Sequence, residues 1–322
     1  MICEPKYYSM KKIILLVINL ASLPPVFAQN NELKAYKSLT RKADSLYLAK
    51  DYKNSALTFS NAFKWYHNLA TARDRYDAAC SWSQANYPDS AFSNLQLIAS
   101  NGRYTGYDHI IVDADLNSLH EDKRWAPLLV IIQKNKDKAE ANYNKPLTRE
   151  LDSIYDSDQS GRQQIQAIEN KYGDNSKEMN ALWAAMSKSD SINLIKVEAV
   201  LNKYGWVGPE VVGSKGNVTL FLVIQHADSS TRDKYLPMMR TAVKNGKAQA
   251  SQLALMEDRS ALEHGKKQIY GSQLARDEKT NKYYFRPIED EANVDKRREA
   301  VGLNPLEDYA KDWGIDYKLP AQ

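Results

Sequence analysis

The chain has 322 residues, which at roughly 150 residues per domain suggests about two domains. Hydrophobic residues make up 43% and charged residues 26% of a chain with 13 glycines and 11 prolines, which excludes a wholly disordered, collagen-like or multi-span membrane protein. The 44 lysines and arginines nearly balance 40 aspartates and glutamates, a net charge of +4 with no long basic stripe, so we expect no nucleic-acid partner.

Residues 1–28 have the three-part pattern of a secretory signal peptide. Lys11 and Lys12 precede an apolar run over 13–23, and the segment ends in small or apolar residues at Val26, Phe27 and Ala28. Polar residues and prolines break the run, which is shorter than the roughly 20 residues that a membrane-spanning helix needs. An uncleaved membrane anchor is therefore the less favoured alternative.

Cleavage after Ala28 would leave a periplasmic or secreted protein with no stable membrane span. No cysteine stands at the cleavage point, so the sequence does not indicate a lipid anchor. Cys80 would be the sole remaining cysteine and could form no internal disulfide. Since Cys80 lies within a helical pattern, it is interpreted as a small buried core residue.

Amphipathic helical patterns recur after the signal peptide at a spacing of 36 residues. Residues at this spacing have similar sizes, as the pairs Ala43/Ala79, Leu46/Trp82, Ser55/Ala91, Phe59/Leu95 and Ala62/Ile98 show. The small residues would let neighbouring helices approach closely, while the larger ones fill the grooves between them. The pattern predicts two helix–turn–helix units.

These units resemble tetratricopeptide repeats, whose length is about 34 residues. The segment Tyr76-Asp77-Ala78-Ala79-Cys80 is similar to the start of a closing repeat, and the stretch from Gly102 to Leu128 is similar to the segment that ends such a group. The resemblance covers about 32–130 and implies a helical array that binds a protein or peptide partner. Lys50 and Asp51 stand where this family commonly has a glycine. Two repeats are also fewer than the roughly three usually needed for stability, so we expect the array to depend on a second domain.

The patterns therefore predict repeats over 29–131, a basic connector over 132–146 and a C-terminal domain over 147–322. In that domain we expect helices at 176–204, 229–245, 248–263, 294–301 and 305–313. The apolar run 218–224 fits a strand or a buried helix, and the flanking helical patterns favour the helix. Segments 268–273 and 283–288 are predicted to form a small β-hairpin. The expected fold is mainly α: a two-repeat helical array followed by a helix-rich α+β domain.

Polar residues in the C-terminal domain cluster at the ends of apolar runs. Burying each of them without a partner would cost about 1–3 kcal/mol, so the fold must pair them with one another or use them to bind a ligand. The candidates are Asp158, Arg162, His226, Asp228, Asp258, Arg259, Gln268, Tyr270, Gln273 and Arg297.

The order of these motifs resembles a bacterial domain family of unknown function over about 147–310. The matching segments are Asp158-Gln159-x-x-Arg162, Gly205-Trp206, Gln225-His226-Ala227-Asp228, Glu257-Asp258-Arg259, 268–273 and Arg297 with Gly302-Leu303. The resemblance implies a domain boundary near residue 147 and a set of polar residues that occur together. It implies no activity.

His226 is the candidate general acid or base, because an imidazole titrates near neutral pH and a carboxylate can fix its tautomer. Residues two apart on a helix do not face each other, so Asp258 or Glu257 is a better expected partner for His226 than Asp228. In the alternative interpretation, Asp228 caps the next helix and His226 packs at the edge of the core.

The remaining polar residues also allow a functional and a structural interpretation. Asp258 and Arg259 could bind an anionic substrate or form ion pairs with Asp158, Arg162 or Arg297. Tyr270 and Gln273, with Gln268, could contact a polar ligand or satisfy a buried turn. A metal site from His226, Asp228, Asp258 and His264 has no diagnostic spacing, so neither a metal site nor a cofactor is predicted.

Two functional hypotheses follow from these patterns. In the favoured one, an exported protein uses its repeats to bind a protein or peptide, and the C-terminal domain offers a polar site for a small polar or anionic ligand. In the alternative, the C-terminal domain is a hydrolase that uses His226 as acid or base, with Asp258 and Arg259 beside it.

Overall fold

The computed structural model describes residues 26–320 except residues 278 and 281. The first 25 residues, which carry most of the predicted signal peptide, lie outside the described residues. The described residues form helices at Val26–Leu48 (α1), Tyr52–Trp65 (α2), Ala72–Gln84 (α3), Pro88–Ser100 (α4), Tyr107–Ile110 (α5), Trp125–Ala139 (α6), Lys145–Arg162 (α7), Ile165–Tyr172 (α8), Lys177–Tyr204 (α9), Pro209–His226 (α10), Ser229–Lys244 (α11), Ala250–Glu263 (α12), Val294–Ala300 (α13) and Leu306–Asp312 (α14).

Two 3₁₀ helices, Ala114–Leu119 and Glu291–Asn293, and two antiparallel strands, Leu274–Arg276 (β1) and Tyr283–Phe285 (β2), complete the regular structure of the described chain. The prediction of a mainly α fold with one small hairpin is therefore confirmed. None of the helices within the described residues is long and apolar enough to span a membrane.

The chain divides into two compact units, one up to Lys138 and one from Ala139 onward. Within the predicted connector 132–146, α6 continues to Ala139 and α7 begins at Lys145, so only 140–144 is non-helical. Each unit has its own buried apolar residues.

The N-terminal unit contains two helical hairpins whose elements recur at the predicted interval of 36 residues. Helices α1 and α3 end at Leu48 and Gln84, and α2 and α4 begin at Tyr52 and Pro88. Both turns use a residue with positive φ, Lys50 (φ 61°) in the first hairpin and Asn86 (φ 64°) in the second. The left-handed conformation costs a residue such as lysine about 1–2 kcal/mol, which explains why glycine suits this position.

The small residues of the predicted repeat lie at the helix contacts. Ala43, Ser55, Ala62, Ala79 and Ala91 are all fully buried. The Ser55 hydroxyl donates a hydrogen bond to the Ala43 carbonyl oxygen at 2.8 Å, so the one polar member of the set is satisfied between α1 and α2. Close helix packing, as predicted from the sequence, is confirmed in both hairpins.

The C-terminal unit is built around α7, α9, α10, α11 and α12, which share one apolar core. Its most deeply buried side chains include Leu151, Val197, Leu220, Met239 and Met256. Gly213, with φ 71°, interrupts the helical backbone of α10. A Cβ atom there would lie 3.2 Å from the Tyr143 ring, so glycine meets both the backbone and the packing requirement.

Most predicted helices of this unit are confirmed. Helix α9 begins after its Ser176 cap, α11 begins after its Asp228 cap, and α10 includes the ambiguous run 218–224 as helix.

The predicted position of the first hairpin strand is wrong. Residues 268–273 form a loop with one isolated bridge between Gln268 and Ile288, and β1 begins only at Leu274. The reason is that the Asp258 carboxylate accepts backbone N–H groups of this loop, and Gly271 has φ 69°, which an ordinary strand does not allow.

Candidate functional site

A cleft of about 900 Å³ opens in the C-terminal unit between α7, α9, the C-terminal end of α10 and α12. Its walls are partly apolar and partly charged. The apolar side chains belong to Ile165, Trp183, Met186, Leu194, Val223 and Trp313. Apolar walls around a few polar groups are typical of small-molecule sites.

A buried carboxylate and an imidazole form the polar centre of this cleft. Asp158 on α7 is 1% exposed, and its Oδ1 lies 3.0 Å from Nδ1 of His226, the last residue of α10. Because an ionised carboxylate can only accept hydrogen bonds, this contact places the proton on Nδ1 and leaves the lone pair on Nε2. The geometry is that of a histidine oriented by a carboxylate.

The surroundings of Asp158 keep it ionised. Burial by itself would raise the pKa of Asp158, but the hydrogen bond from His226, the positive charge of His226 when it is protonated, and the charge of Arg162 hold that pKa below its usual value. Gln159 also donates a hydrogen bond to Oδ2 at 2.6 Å. The carboxylate is therefore charged at neutral pH and available to stabilise a protonated imidazole.

Arg162 connects this pair to α9. Its guanidinium donates two hydrogen bonds to Asp190, at 3.0 and 2.9 Å, and a third to the Asp158 carbonyl oxygen at 2.6 Å. Gly161 lies next to it, where a Cβ atom would be 2.5 Å from Cγ of Met186. The missing side chain lets α7 and α9 approach closely enough for the two-pronged Arg162–Asp190 contact.

Asp158, Asp190 and His226 place three possible metal-ligand atoms within 4.8 Å of one another. Arg162, however, already forms ion pairs with both carboxylates, at 3.4 Å to Asp158 and 2.9 Å to Asp190. A second cation would have to displace or approach this guanidinium. We therefore interpret Arg162 as the cation that this pair of carboxylates already holds.

Two arginines cover the C-terminal end of α10, where the last carbonyl groups of a helix lack helical partners. Arg232 and Arg259 both donate to the Gln225 carbonyl oxygen, at 3.3 and 2.9 Å. Arg232 also forms an ion pair with Glu263. Arg259 has no carboxylate partner within the described chain, and Nε donates to Oε1 of Gln273 at 3.3 Å.

The charge of Arg259 is not neutralised locally. Burial and the neighbouring positive charge of Arg232 lower the pKa of Arg259 from its ordinary value, while Glu263 acts in the opposite direction. Because an arginine remains protonated in proteins, a half-buried guanidinium on the wall of a cleft is well suited to contact an anionic group.

Asp228 also borders the cleft, but it has a structural role. Its Oδ1 accepts the Thr231 N–H at 2.8 Å and the Ser230 hydroxyl at 2.9 Å, which caps α11. These hydrogen bonds lower the pKa of Asp228, and the one from the Thr231 N–H has the largest effect.

The expectation that Asp258 or Glu257 is the partner of His226 is wrong. The partner is Asp158, which lies 68 positions earlier in the chain on α7. Helix α10 packs on α7 in the core, and this packing brings the two side chains together.

The other predicted residues form a second network away from the cleft lining. Asp258 is fully buried and accepts the N–H groups of Ile269, Tyr270 and Ser272 at 2.6, 2.9 and 2.9 Å. The ion pairs expected for Asp258 and Arg259 with Asp158, Arg162 or Arg297 do not form among the described residues. The loop N–H groups occupy the Asp258 carboxylate, and Arg259 donates to Gln225 and Gln273 instead.

Gln268 and Arg297 hold the same loop. The Gln268 side chain donates to the carbonyl oxygens of Gln273 and Arg286, and Arg297 donates to the Ile269 carbonyl oxygen at 2.8 Å. Tyr270 is partly buried beside it. Five of the ten candidates from the sequence therefore line the cleft: Asp158, Arg162, His226, Asp228 and Arg259. Gln273 does not line it but accepts a hydrogen bond from Arg259, which does.

Sequence reasoning missed the contributions of α9 and of Trp313. Asp190, Ser187, Ser191 and Trp183 all face the cleft from α9. The polar run 187–191 interrupts the apolar pattern of this long helix. This interruption is the sequence feature that could have indicated a polar site on α9. Trp313 follows a short terminal helix, and no local pattern marks it.

The C-terminal unit is thus a helical domain with a carboxylate-oriented histidine on the wall of an open cleft. A model of the family of unknown function DUF6624 matches residues 145–320, more than half of the chain. The chain therefore belongs to this family, which confirms the domain family expected from its polar motifs. No curated protein and no solved structure matches the chain significantly.

Replacing Asp258 by Asn should destabilise the C-terminal unit. Hydrogen bonds to a charged group each contribute about 1.5–3 kcal/mol, and three converge on this carboxylate, so we expect a loss of about 3 kcal/mol or more in the free energy of unfolding. Denaturant titration of the purified chain would measure it.

Asp156→Asn is the matched control, since Asp156 is 70% exposed and, among the residues that the structure describes, pairs with Lys215 alone. Its effect should stay below about 1 kcal/mol. Equal stabilities of the Asp258 and Asp156 variants would contradict the structural role of Asp258.

Proposed function

We propose that the DUF6624 domain is a hydrolase in which His226 acts as general acid and base and Asp158 orients it. The observation that carries this proposal is the 3.0 Å contact between His226 Nδ1 and a carboxylate that is 1% exposed, on the wall of a cleft of about 900 Å³. A surface histidine without these features would have neither a fixed tautomer nor a substrate volume beside it.

In this mechanism Nε2 of His226 accepts a proton from a water molecule as its oxygen attacks the electrophilic centre of the substrate. The bond between the water oxygen and that centre forms, and the bond to the leaving group breaks. His226 then returns the proton to the leaving group. Asp158 stays ionised and stabilises the imidazolium that exists between the two proton transfers.

The charges around the cleft favour a substrate that carries an anionic group. Arg259 is half-buried and has no carboxylate partner in the described chain, so its guanidinium can bind a carboxylate or phosphate of the substrate. Arg162 is less available because Asp190 holds it. Trp183 and Trp313 supply aromatic surface for the apolar part of the substrate.

Replacing His226 by Gln should remove activity while the fold remains. General acid–base catalysis contributes about 10²–10⁴-fold, so kcat/KM should fall at least about 100-fold. The measurement is hydrolysis of chromogenic ester, amide and phosphoester substrates that carry a carboxylate or phosphate, with the melting temperature recorded in parallel.

His264→Gln serves as the control, because His264 is half exposed in the same unit and pairs with Asp233 instead of lining the cleft. Hydrolysis that survives in the His226 variant, or no hydrolysis of any panel substrate by the unaltered chain, would count against the hydrolase proposal. So would an equal loss in both variants.

The N-terminal unit is proposed to bind a protein or peptide partner, as its resemblance to tetratricopeptide repeats implies. Two helical hairpins at a 36-residue interval support this proposal. Large apolar side chains on the surface support it as well: Trp65 at the end of α2 and Leu69 just beyond are 64% and 65% exposed.

If these side chains contact the partner, the double variant Trp65→Ala/Leu69→Ala should no longer bind that partner. Pull-down from a periplasmic extract with the full mature chain would measure this, with Ile195→Ala as the control because Ile195 is 70% exposed on α9 of the other unit. Retention of the same protein by all three chains would refute a role of this surface.

Export to the periplasm or the medium is the remaining part of the proposal, and the pattern of residues 11–28 supports it. Expression of the full chain should yield a mature protein whose first residue is Gln29, as N-terminal sequencing would reveal. A cytosolic protein that retains its first 28 residues would disprove cleavage.

A further inference from the structure

A second group of polar side chains lies in the N-terminal unit, separate from the proposed hydrolase site. Cys80 on α3, Asp113 before the first 3₁₀ helix and Asp115 within that helix place one sulfur and two carboxylate atoms within 4.8 Å of one another. Sγ of Cys80 is 3.8 Å from Oδ2 of Asp113. His109 on α5 adds an imidazole whose Nε2 is 4.0 Å from the same oxygen.

We propose that Cys80, His109, Asp113 and Asp115 bind one divalent transition-metal ion of the zinc type. Sulfur, nitrogen and carboxylate oxygen together are the donor set that zinc uses, whereas calcium and magnesium prefer oxygen alone. Metal–ligand distances of about 2.0–2.3 Å put neighbouring donor atoms of a tetrahedral zinc site about 3.3–3.5 Å apart. The Cys80–Asp113 and His109–Asp113 separations of 3.8 and 4.0 Å would therefore have to close by about 0.3 to 0.7 Å, and the other separations among Cys80, Asp113 and Asp115, which are at most 4.8 Å, by up to about 1.5 Å.

The surrounding hydrogen bonds orient the donor atoms toward one another. Nδ1 of His109 contacts the Tyr104 hydroxyl at 3.3 Å, which leaves Nε2 on the side of Asp113. One oxygen of Asp113, Oδ1, accepts the Asp115 N–H at 3.0 Å, while Oδ2, on the side of Cys80, accepts the Tyr76 hydroxyl at 2.6 Å. Metal-binding histidines and carboxylates commonly have such outer hydrogen bonds, which fix the ring and the carboxylate.

The charges of the group favour a cation. Asp113 and Asp115 place two carboxylates beside the Cys80 thiol. Within the described chain, His109 is the basic side chain that pairs with Asp113, and it is 64% exposed. A divalent ion would compensate the carboxylates, and its bond to sulfur would form as the thiol proton is released to solvent.

The position of these residues indicates a structural role for the ion. Cys80 lies in the first helix of the second hairpin, while His109, Asp113 and Asp115 follow that hairpin in the chain. An ion bound by both segments would fasten the segment 107–119 to α3, beside the existing hydrogen bond from the Tyr76 hydroxyl to Asp113 at 2.6 Å. This would add stability to an array of only two hairpins.

Cobalt(II) titration of the full-length mature chain, kept reduced and free of metal, tests the proposal. We expect one equivalent to bind and to give a near-ultraviolet absorption band from thiolate-to-cobalt charge transfer. Zinc should displace the cobalt and raise the melting temperature, and calcium should do neither. Absence of binding, or binding without the thiolate band, would overturn the proposal.

Variants assign the ligands. Cys80→Ser should abolish the charge-transfer band, and His109→Gln should weaken zinc affinity at least about 10-fold. His67→Gln is the matched control, because His67 is 70% exposed in the same unit and pairs with Glu32. Because Cys80 is buried, circular dichroism must show that the Cys80→Ser variant folds. If it does not fold, the His109→Gln variant tests the proposal instead, since His109 is exposed.

His226→Gln separates this site from the group of Asp158, Asp190 and His226 in the other unit. It should leave the cobalt stoichiometry and the charge-transfer band unchanged. Loss of metal binding in this variant, or full binding by the Cys80 and His109 variants, would place the ion elsewhere and refute the assignment.

Discussion

The buried carboxylate of Asp158 is the group on which the candidate hydrolase site depends. A charge that is 1% exposed persists only where it is paired and hydrogen-bonded, and here His226, Arg162 and Gln159 all contact it. Each contact also fixes something else: the tautomer of the imidazole, the position of the guanidinium and, through Arg162, the approach of α7 to α9. The same interactions that make the charge tolerable in the core therefore give the cleft its geometry.

A second buried carboxylate, Asp258, shows how the same residue type can do a different task. Its oxygens are taken up by three N–H groups of the loop before β1, so no oxygen is left to orient His226 or to meet a substrate. Arg259, the next residue on α12, turns toward the cleft and the end of α10. Adjacent residues on a helix point about 100° apart, which explains why one supports the loop and the other lines the cleft.

The two units satisfy their polar residues in different ways. In the C-terminal unit, arginines cap the end of α10 and balance the acidic side chains beside the cleft. In the N-terminal unit, the Tyr76 hydroxyl and the exposed His109 contact Asp113, whose neighbours include another aspartate and a cysteine. This contrast is the reason that we place a metal ion in the second group and none in the first, although both present three possible ligands within 4.8 Å.

The sequence by itself determined the helices and the spacing of the hairpins. Caps such as Asp228, stop signals such as Gly205 and the repeating small residues act within a few positions along the chain, and this local chemistry can be read without coordinates. It also selected His226, Asp158 and Arg259 as polar residues at the ends of apolar runs. Only the tertiary structure decided that Asp158 is the partner of His226 and that Asp258 belongs to a loop, because these contacts join residues 68 and 11–14 positions apart. Helix packing selects such partners, and no periodicity along the chain encodes which of several aspartates it brings to a given histidine.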